Sequence, residues 1–399
     1  MTEDVAQSEI SARILHSIDE VDAASWDSCS QAFPYNPFLT HRFLSALEHS
    51  ESVCNRTGWQ PFHMLVERGE EMIGVVPAYL KSHSQGEYVF DYSWADAWHR
   101  AGGSYYPKMQ VSVPFTPATG PRFLARSGSD EDTQLLLAAT TQIAKQVDVS
   151  SVHATFMPES QWQLAKNCGY LQRMDQQFHW HNGGYEDFEG FLADLASKKR
   201  KNIRRERRDA LANDIEIEWV TGSDLTEAHW EAFYSFYLDT GSRKWGSPYL
   251  TRQFFSMIGE TMADDTLLIM AKRDDRYIAG AINFIGAETL FGRNWGCIED
   301  HRFLHFEVCY YQAIDFAISR GLKRVEAGAQ GAHKIARGYL PEATYSAHWI
   351  ADAGFRDAVA RFLNEERDYV AEDIAAVEQR TPFRANTDLS ALRRIALDT

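Results

Sequence analysis

Residues 325–339, with the sequence VEAGAQGAHKIARGY, concentrate side chains that can bind an anion or polarise a carbonyl group. Gly328 and Gly331 would let main-chain N–H groups approach a ligand closely. Lys334 and Arg337 are three residues apart, so one helical turn would point them the same way. Such a pair is suited to binding a phosphate or polarising an ester carbonyl. The alternative is an ordinary strand-to-helix loop that carries a surface lysine and arginine.

A second candidate is the segment 197–208, SKKRKNIRRERR, in which eight of twelve residues are Lys or Arg. One interpretation is a cradle for the phosphates of a nucleotide, coenzyme A or an RNA end. The other is a solvated helix face balanced by Glu206 and Asp209. On a helix, one side would carry Lys198, Lys201, Arg205 and Arg208, and another would carry Arg204 with Arg207 or Arg208.

A third candidate is the segment 105–122, YYPKMQVSVPFTPATGPR, whose prolines favour a rigid, extended chain. It either lines a ligand cleft or packs as a plain loop. The nearby sequence KSHSQGEYVF adds Lys81, His83 and Glu87.

Several common catalytic motifs are missing from the sequence. It contains no GxGxxG after a strand, no GxxxxGK[ST], no GxSxG and no HExxH, so dinucleotide oxidoreductases, P-loop ATPases, serine hydrolases and zinc proteases lack support. His301 and His305 could share a helix face, but the sequence offers no third ligand near them. We predict no metal site and no permanently bound cofactor.

The bulk composition describes a folded globular protein. Its 399 residues suit two domains, and 13% aromatic residues predict a substantial core. A net charge of −16 argues against a general DNA-binding protein. The N-terminus does not resemble a signal peptide, no run approaches about 18 apolar residues, and five separated cysteines form no CxxC pair. We therefore expect a cytoplasmic chain without an integral membrane segment.

The elements that must position these residues repeat in two halves, each in the order strand, turn, strand, turn, strand, helix, strand. The first half has predicted strands at 59–67, 72–81, 87–94 and 152–156, and helices at 130–147 and 159–168. The second has strands at 266–272, 277–285, 290–295 and 322–327, and a helix at 303–320. Further helices are predicted at 188–195, 197–213 with Ser197 as N-cap, 224–239, 249–262 and 352–379.

Long stretches of the chain resemble the FemAB-like proteins of peptidoglycan biosynthesis, a branch of the GNAT-related FemABX superfamily. The similar stretches include KSHSQGEYVFDYSWADA, YYPKMQVSVPFTPATGPR, SKKRKNIRRERR, KWGSPYLTRQFF and LHFEVCYYQAIDFAISRGLKRVEAGAQGAHKIARGYLP, spread from about residue 36 to 384. The resemblance implies an α/β (α+β) protein with two tandem GNAT-like acyltransferase domains and mixed, mostly antiparallel sheets. We place the domains at 1–185 and 186–350, and expect a helical segment at 351–399 to pack back on the body.

The resemblance also implies a reaction, in which an aminoacyl group passes from aminoacyl-tRNA to an amine of a peptidoglycan precursor. The second domain would handle the donor, and the first the acceptor, whose candidate partner is a nucleotide-linked muropeptide. The donor-binding candidates are Arg337, Gly328, Gln330, Gly331, Lys198, Lys201, Arg204, Arg205 and Arg208. The acceptor-binding candidates are Lys81, His83, Glu87, Tyr105, Tyr106, Lys108 and Arg122.

The chemistry itself needs few groups, because an aminoacyl ester is already activated. Lys334 is the candidate for stabilising the oxyanion. Glu326, His333 and Glu307 are candidate bases for the amine proton, and a substrate phosphate could serve instead. Since the coenzyme-binding pattern of GNAT enzymes is not clearly present, acyl-CoA is the alternative donor. A third possibility is a non-enzymatic module that binds a cell-wall precursor or another anion.

Overall fold

The chain divides into two compact units in the computed structural model, which describes residues 9–243, 248–328 and 331–395. The first unit comprises Met1–Pro34, Phe38–Asp175 and Thr344–Asp368. The second comprises Tyr35–Pro37, Gln176–Ala343 and Tyr369–Thr399. Within the described ranges, no helix combines the length and the apolar character that crossing a bilayer requires.

Two sheets form the first unit. One is antiparallel throughout, in the order β1 (Ile10–Leu15), β3 (His63–Arg68), β4 (Glu71–Val76) and β7 (Leu124–Ala125). The other runs β2 (Trp59–Pro61), β5 (Ala78–Lys81), β6 (Lys108–Val111), β8 (Ser151–Met157) and the part of β15 (Leu340–Ile350) that follows Ala343. In this second sheet β6 and β8 are parallel, and the other neighbours are antiparallel.

The helices of the first unit are α1 (Ala23–Ser28), α2 (His41–His49), α3 (Tyr92–Arg100), α4 (Asp130–Gln146), α5 (Glu159–Asn167) and the start of α12 (Ala353–Glu378). The longest of those wholly inside the unit, α4, begins at Ser129, whose hydroxyl accepts the N–H of Asp132. Acidic residues in its first turn suit the positive end of the helix dipole. Its Leu136, Leu137 and Ile143 pack into the core, so burial of one face stabilises the helix.

The second unit is built on one sheet in the order β10 (Glu216–Thr221), β11 (Thr266–Arg273), β12 (Arg276–Ile285), β13 (Thr289–Cys297), β14 (Arg324–Glu326) and β9 (Leu171–His181). All neighbours are antiparallel except β13 and β14. The segment 266–271 of β11 is fully buried, which explains its unbroken apolar sequence after Thr266.

The helices of the second unit are α6 (Phe188–Ala193), α7 (Ser197–Ala210), α8 (Glu227–Arg243), α9 (Arg252–Thr261), α10 (Leu304–Phe306), α11 (Gln312–Ser319) and α13 (Leu389–Ile395). A π-helical turn, Glu307–Tyr311, joins α10 to α11. Such a turn widens the helix by one residue and often lies at a functional site.

The predicted fold class is confirmed. In each unit a helical connection joins two strands that pair in parallel. In the first unit α4 lies between β6 and β8, and in the second α11 lies between β13 and β14. The remaining ladders are mostly antiparallel, as expected for a mixed α/β fold.

Three local predictions are wrong. Residues 87–94 form a loop and the start of α3 rather than a strand, because Glu87 and Asp91 turn inward toward a lysine and Trp94 packs into a small aromatic core. The third strand is β6 instead. Ser197 is the first residue of α7, and its N-cap Ala196 makes no side-chain bond. The helix predicted at 303–320 is interrupted by the π-helical turn.

Candidate functional site

The end of β14 positions the segment that the sequence singled out. Pairing between β13 and β14 stops at Phe291 and Glu326, and the chain then leaves the sheet edge. It continues through Gly328, at φ 74°, into a 3-10 helix, Ala332–Arg337. That helix ends at Gly338, whose φ of 88° favours glycine. A Cβ atom there would also lie 2.5 Å from the Phe191 ring, so the turn needs glycine for two reasons.

Lys334 projects from this 3-10 helix into the protein and is only 1% exposed. Its Nζ donates to the Gly328 carbonyl oxygen at 2.8 Å. Burial lowers the pKa of Lys334 to about 8, so the group is still mainly cationic at neutral pH. A buried ammonium group of this kind can stabilise negative charge that develops nearby.

Arg337 is also buried and is held from three directions. Its Nη1 donates to the His333 carbonyl oxygen at 2.8 Å, and its Nη2 donates to Glu206 Oε2 at 2.9 Å. The guanidinium carbon lies 3.4 Å from the centre of the Phe306 ring. Among the described residues, no acceptor is within reach of its buried Nε. One N–H of Arg337 is therefore without an acceptor in the part of the chain that the structure describes.

The inner face of α7 connects the basic segment to this loop. Ile203 and Ala210 are buried, and Glu206 reaches Arg337. Next to it, Arg207 pairs with Glu307 at 3.0 Å and with Asp315 at 2.6 Å. Neither Glu206 nor Arg207 is among the site residues predicted from the sequence. The sequence signal that could have pointed to these two residues is an acidic residue, Glu206, within a run of lysines and arginines.

The five predicted donor-binding cations of α7 lie on its other face. All of them are exposed: Lys198, Lys201, Arg204, Arg205 and Arg208. Arg204 pairs with Glu189, and Arg208 pairs with Asp209 at 2.7 Å. The structure therefore places these cations toward solvent, while the face with Glu206 and Arg207 meets the loop. Two further predicted donor-binding residues belong to the segment 325–339. Gly331 precedes the 3-10 helix, whereas Gln330 lies outside the described residues.

The three candidate bases have different surroundings. Glu307 is fully buried in the π-helical turn, and its carboxylate accepts from Arg207 and Gln312. Burial raises the pKa of Glu307 despite the attraction of Arg207. Glu326 is buried on β14. His333 is exposed, and burial of part of its ring together with the nearby Arg337 lowers its pKa, which favours the neutral imidazole.

Aromatic rings surround His333. Its ring centre lies 5.5 Å from Phe306, 5.7 Å from Tyr310 and 6.2 Å from His305. A ring nitrogen of His333 is 3.0 Å from the Tyr310 hydroxyl. This contact orients the imidazole beside the two cations, Lys334 and Arg337.

A second polar cluster is buried in the first unit around Lys108, which is 0% exposed. Its Nζ donates to Ser84 Oγ at 2.8 Å, to Glu87 Oε2 at 2.7 Å and to Asp91 Oδ2. Tyr105 donates its hydroxyl to the same Asp91 oxygen at 2.6 Å. Four predicted acceptor-binding residues therefore lie close together: Lys81, Glu87, Tyr105 and Lys108. Lys81 on β5 is opposite Lys108 on β6 in the strand register, and Glu87 is in the loop after β5.

Burial and charge act in opposite directions on the acids of this cluster. Burial raises the pKa of Glu87 to about 7, although Lys108 opposes the rise. Burial also acts to raise the pKa of Asp91, but attraction to Lys108 and His153 outweighs it, and the pKa falls below its usual value. Lys81 lies 3.5 Å over the Trp59 ring, and burial lowers its pKa to about 7. Shifts of this kind are frequent at functional sites.

Two histidines extend the cluster across the sheet. The Nδ1 atoms of His153 on β8 and His348 on β15 are 2.7 Å apart, and burial lowers the pKa of His153 to about 3. Sequence reasoning missed both histidines and Asp91. Each histidine lies in a strand that the amino-acid pattern gives no reason to link with residue 91, and Asp91 fell within a wrongly predicted strand.

The three remaining predicted acceptor-binding residues make other contacts within the first unit. The buried Arg122 donates to main-chain carbonyl oxygens of Ala118 at 2.6 Å, Gly120 at 2.9 Å and Thr155 at 2.7 Å, so it fixes the proline-rich loop. His83 contacts the Thr57 carbonyl oxygen at 3.0 Å. Tyr106 shares a 2.8 Å hydrogen bond with Ser84 and is half-buried.

Comparison with known proteins supports a specific family. A FemAB-like family model, described as peptidoglycan biosynthesis/recognition, matches residues 17–385. The crystal structure of FemX is similar with a TM-score of 0.55 at 12% identity, over 87% of this chain and 100% of that chain. A tandem GNAT protein from the clavulanic acid biosynthesis pathway gives 0.46 at 12% identity, over 86% and 99% of the two chains. L-PGS from Bacillus licheniformis gives 0.47 at 9%, over 83% and 98%. No curated protein sequence matches significantly.

Proposed function

Because the chain belongs to the FemAB-like family of peptidoglycan biosynthesis and recognition, we propose that it is an acyltransferase that moves an aminoacyl group onto an amine. The proposed acceptor is the amine of a peptidoglycan precursor, and the proposed donor is an aminoacyl-tRNA. The donor would bind at the loop of the second unit that carries Lys334 and Arg337. The acceptor would be recognised by residues of the first unit.

The observation that carries this proposal is that a buried lysine and a buried arginine lie on one helical turn. Lys334 keeps a charge inside the protein, and the Nε–H of Arg337 has no acceptor among residues 9–243, 248–328 and 331–395. An acyl donor on a phosphate-bearing carrier presents two matching groups, a carbonyl oxygen and a phosphate oxygen. A preorganised cation at the carbonyl contributes most where negative charge develops.

The reaction follows from these groups. The amine nitrogen attacks the acyl carbon, a C–N bond forms, and the carbonyl oxygen takes up negative charge beside Lys334. When the tetrahedral intermediate collapses, the bond from carbon to the carrier oxygen breaks and the carrier leaves. The neutral His333 accepts the amine proton and returns a proton to the leaving oxygen. Of the three candidate bases, His333 is the exposed one, while Glu307 is already ion-paired.

The test is an acyl-transfer assay with the full chain. Charged tRNA and a series of acyl-CoA thioesters are offered separately, with a nucleotide-linked muropeptide as acceptor, and the products are identified by mass spectrometry. Ribonuclease treatment should abolish transfer if the donor is aminoacyl-tRNA and leave it intact if the donor is acyl-CoA. Transfer from neither donor, together with tight muropeptide binding, would replace the enzyme proposal by a binding module.

A further inference from the structure

Glu206 is a half-buried acid within the basic helix α7. Its Oε2 accepts the Nη2–H of Arg337 at 2.9 Å and the hydroxyl hydrogen of Tyr311 at 2.5 Å. On the basis of the proposed function, we propose that Glu206 is a positioning residue. It fixes the guanidinium group of Arg337 so that the Nε–H meets an anionic oxygen of the acyl donor.

The geometry of the guanidinium group supports this role. Nε and Nη2 lie on one edge of the planar group, the edge that usually binds two oxygens at once. Glu206 takes Nη2, and Nε has no acceptor among the described residues. One half of the edge is therefore occupied by the protein and the other half is left for a ligand. An oxygen that arrives at Nε would meet a group whose direction is already set.

The other contacts of Arg337 do not set that direction alone. The Phe306 ring fixes the plane of the guanidinium group but allows it to rotate within that plane. The His333 carbonyl oxygen belongs to the same 3-10 helix as Arg337 and moves with it. Glu206 is the ion-pair partner, it comes from a separate helix, and Tyr311 holds its carboxylate in place.

Three variants isolate this contact. Glu206→Ala removes the carboxylate, and Glu206→Gln keeps an oxygen that can accept a hydrogen bond while removing the charge. Glu189→Ala is the matched control, because Glu189 holds another arginine of α7, Arg204, at an exposed position. Glu189→Ala should change neither the hydrogen exchange of the Arg337 Nε–H nor the steady-state kinetics.

The first measurement does not depend on catalysis. In protein labelled with ¹⁵N-arginine, the Nε–H signal of Arg337 is assigned by its loss in Arg337→Lys, and its hydrogen exchange is followed. We expect exchange to be at least tenfold faster in Glu206→Ala than in the wild-type protein, intermediate in Glu206→Gln, and unchanged in Glu189→Ala.

The second measurement is the steady-state kinetics with the acyl donor that the wild-type protein uses. We expect the KM for the donor to rise roughly 10- to 100-fold in Glu206→Ala, the range for loss of one charge-assisted hydrogen bond, with a smaller change in kcat. Glu206→Gln should recover part of the loss. A merely structural role would lower the melting temperature without this division between KM and kcat.

Equal exchange of the Arg337 Nε–H in wild-type protein and both Glu206 variants would overturn the proposal. If Glu206→Ala does not fold, the exchange of the Arg337 Nε–H is compared between Glu206→Gln and the wild-type protein, and equal rates overturn the proposal. If the wild-type protein transfers no acyl group from any donor, the proposed function fails, whereas the exchange measurement still decides whether Glu206 positions Arg337.

Discussion

Replacing Lys108 by Met removes the cation at the centre of the buried cluster in the first unit. Lys108 is fully buried between Glu87 and Asp91, so the substitution leaves two acids without their common partner. Breaking a buried ion pair by removing one partner typically costs about 3–5 kcal/mol. We expect the free energy of unfolding of the first unit to fall by that amount at pH 8.

Part of this cost should depend on pH, because a buried acid without its partner can take up a proton. Burial already raises the pKa of Glu87 to about 7 beside Lys108, so in the wild-type fold Glu87 is protonated at pH 5.5 and ionised at pH 8. Keeping Glu87 protonated at pH 8, one pH unit above that pKa, limits its share of the deficit to about 1.4 kcal/mol. The deficit of Lys108→Met should therefore be smaller at pH 5.5 than at pH 8, by about 1.4 kcal/mol for Glu87.

Urea unfolding followed by tryptophan fluorescence at both pH values measures this difference. Lys145→Met is the matched control, since Lys145 is exposed on α4 and should change stability by less than about 0.5 kcal/mol. The double variant Lys108→Met/Glu87→Gln should regain part of the loss at pH 8. A deficit of Lys108→Met that is equal at pH 5.5 and pH 8 would refute the electrostatic reasoning.

Three further outcomes are expected. Lys334→Ala should lower kcat by about 10²–10³, and wild-type activity should fall as pH rises through about 8, where this lysine loses its charge. His153 is neutral in the folded chain, with a pKa near 3 against its usual 6.5. Its contribution to the free energy of unfolding is therefore complete above pH 6.5 and is lost as the pH falls from 6.5 toward 3. By pH 4.5 this loss amounts to about 2.7 kcal/mol, visible as a falling melting temperature. Gly338→Ala should cost at least about 2 kcal/mol in urea unfolding, because a strained φ is combined with a clash against Phe191.

Each of these outcomes has its own check. Lys334→Arg, which keeps a cation, should retain more activity than the alanine variant, and equal losses would contradict an electrostatic role. His153→Gln should flatten the acid side of the stability profile; an unchanged slope would assign the loss to other groups. Gly321→Ala also occupies a positive φ, at 66°, but meets no atom within 4 Å, so it should cost less than Gly338→Ala.

Sequence patterns predicted those elements whose stability is largely local or strongly periodic. The helix α4 has a serine N-cap, an acidic first turn and regularly spaced leucines, and β11 contains a short, fully buried segment, 266–271, that is apolar after Thr266. The segment 325–339 was selected from its residue types alone, and the structure brings Lys334, Arg337 and His333 of that segment together.

The parts of the candidate site that were not predicted from the sequence depend on which face of a helix turns inward and on which strands pair. Which face of α7 turns inward is decided by Ile203 and Ala210, so Glu206 and Arg207 meet the loop while five cations face solvent. The cluster around Lys108 joins residues from positions 91, 153 and 348, and no local pattern records such pairings. Tertiary contacts of this kind also turned the predicted strand at 87–94 into a loop and a helix.

The first unit is completed by residues 344–368, which follow almost the whole second unit in the chain. β15 supplies the last strand of its second sheet, pairing with β8 and placing His348 opposite His153. During translation, most of the second unit leaves the ribosome while one edge of β8 still lacks its neighbour. Nascent chains should therefore need protection against edge-to-edge association, and a gene cut before the codon of Thr344 should yield an aggregation-prone product.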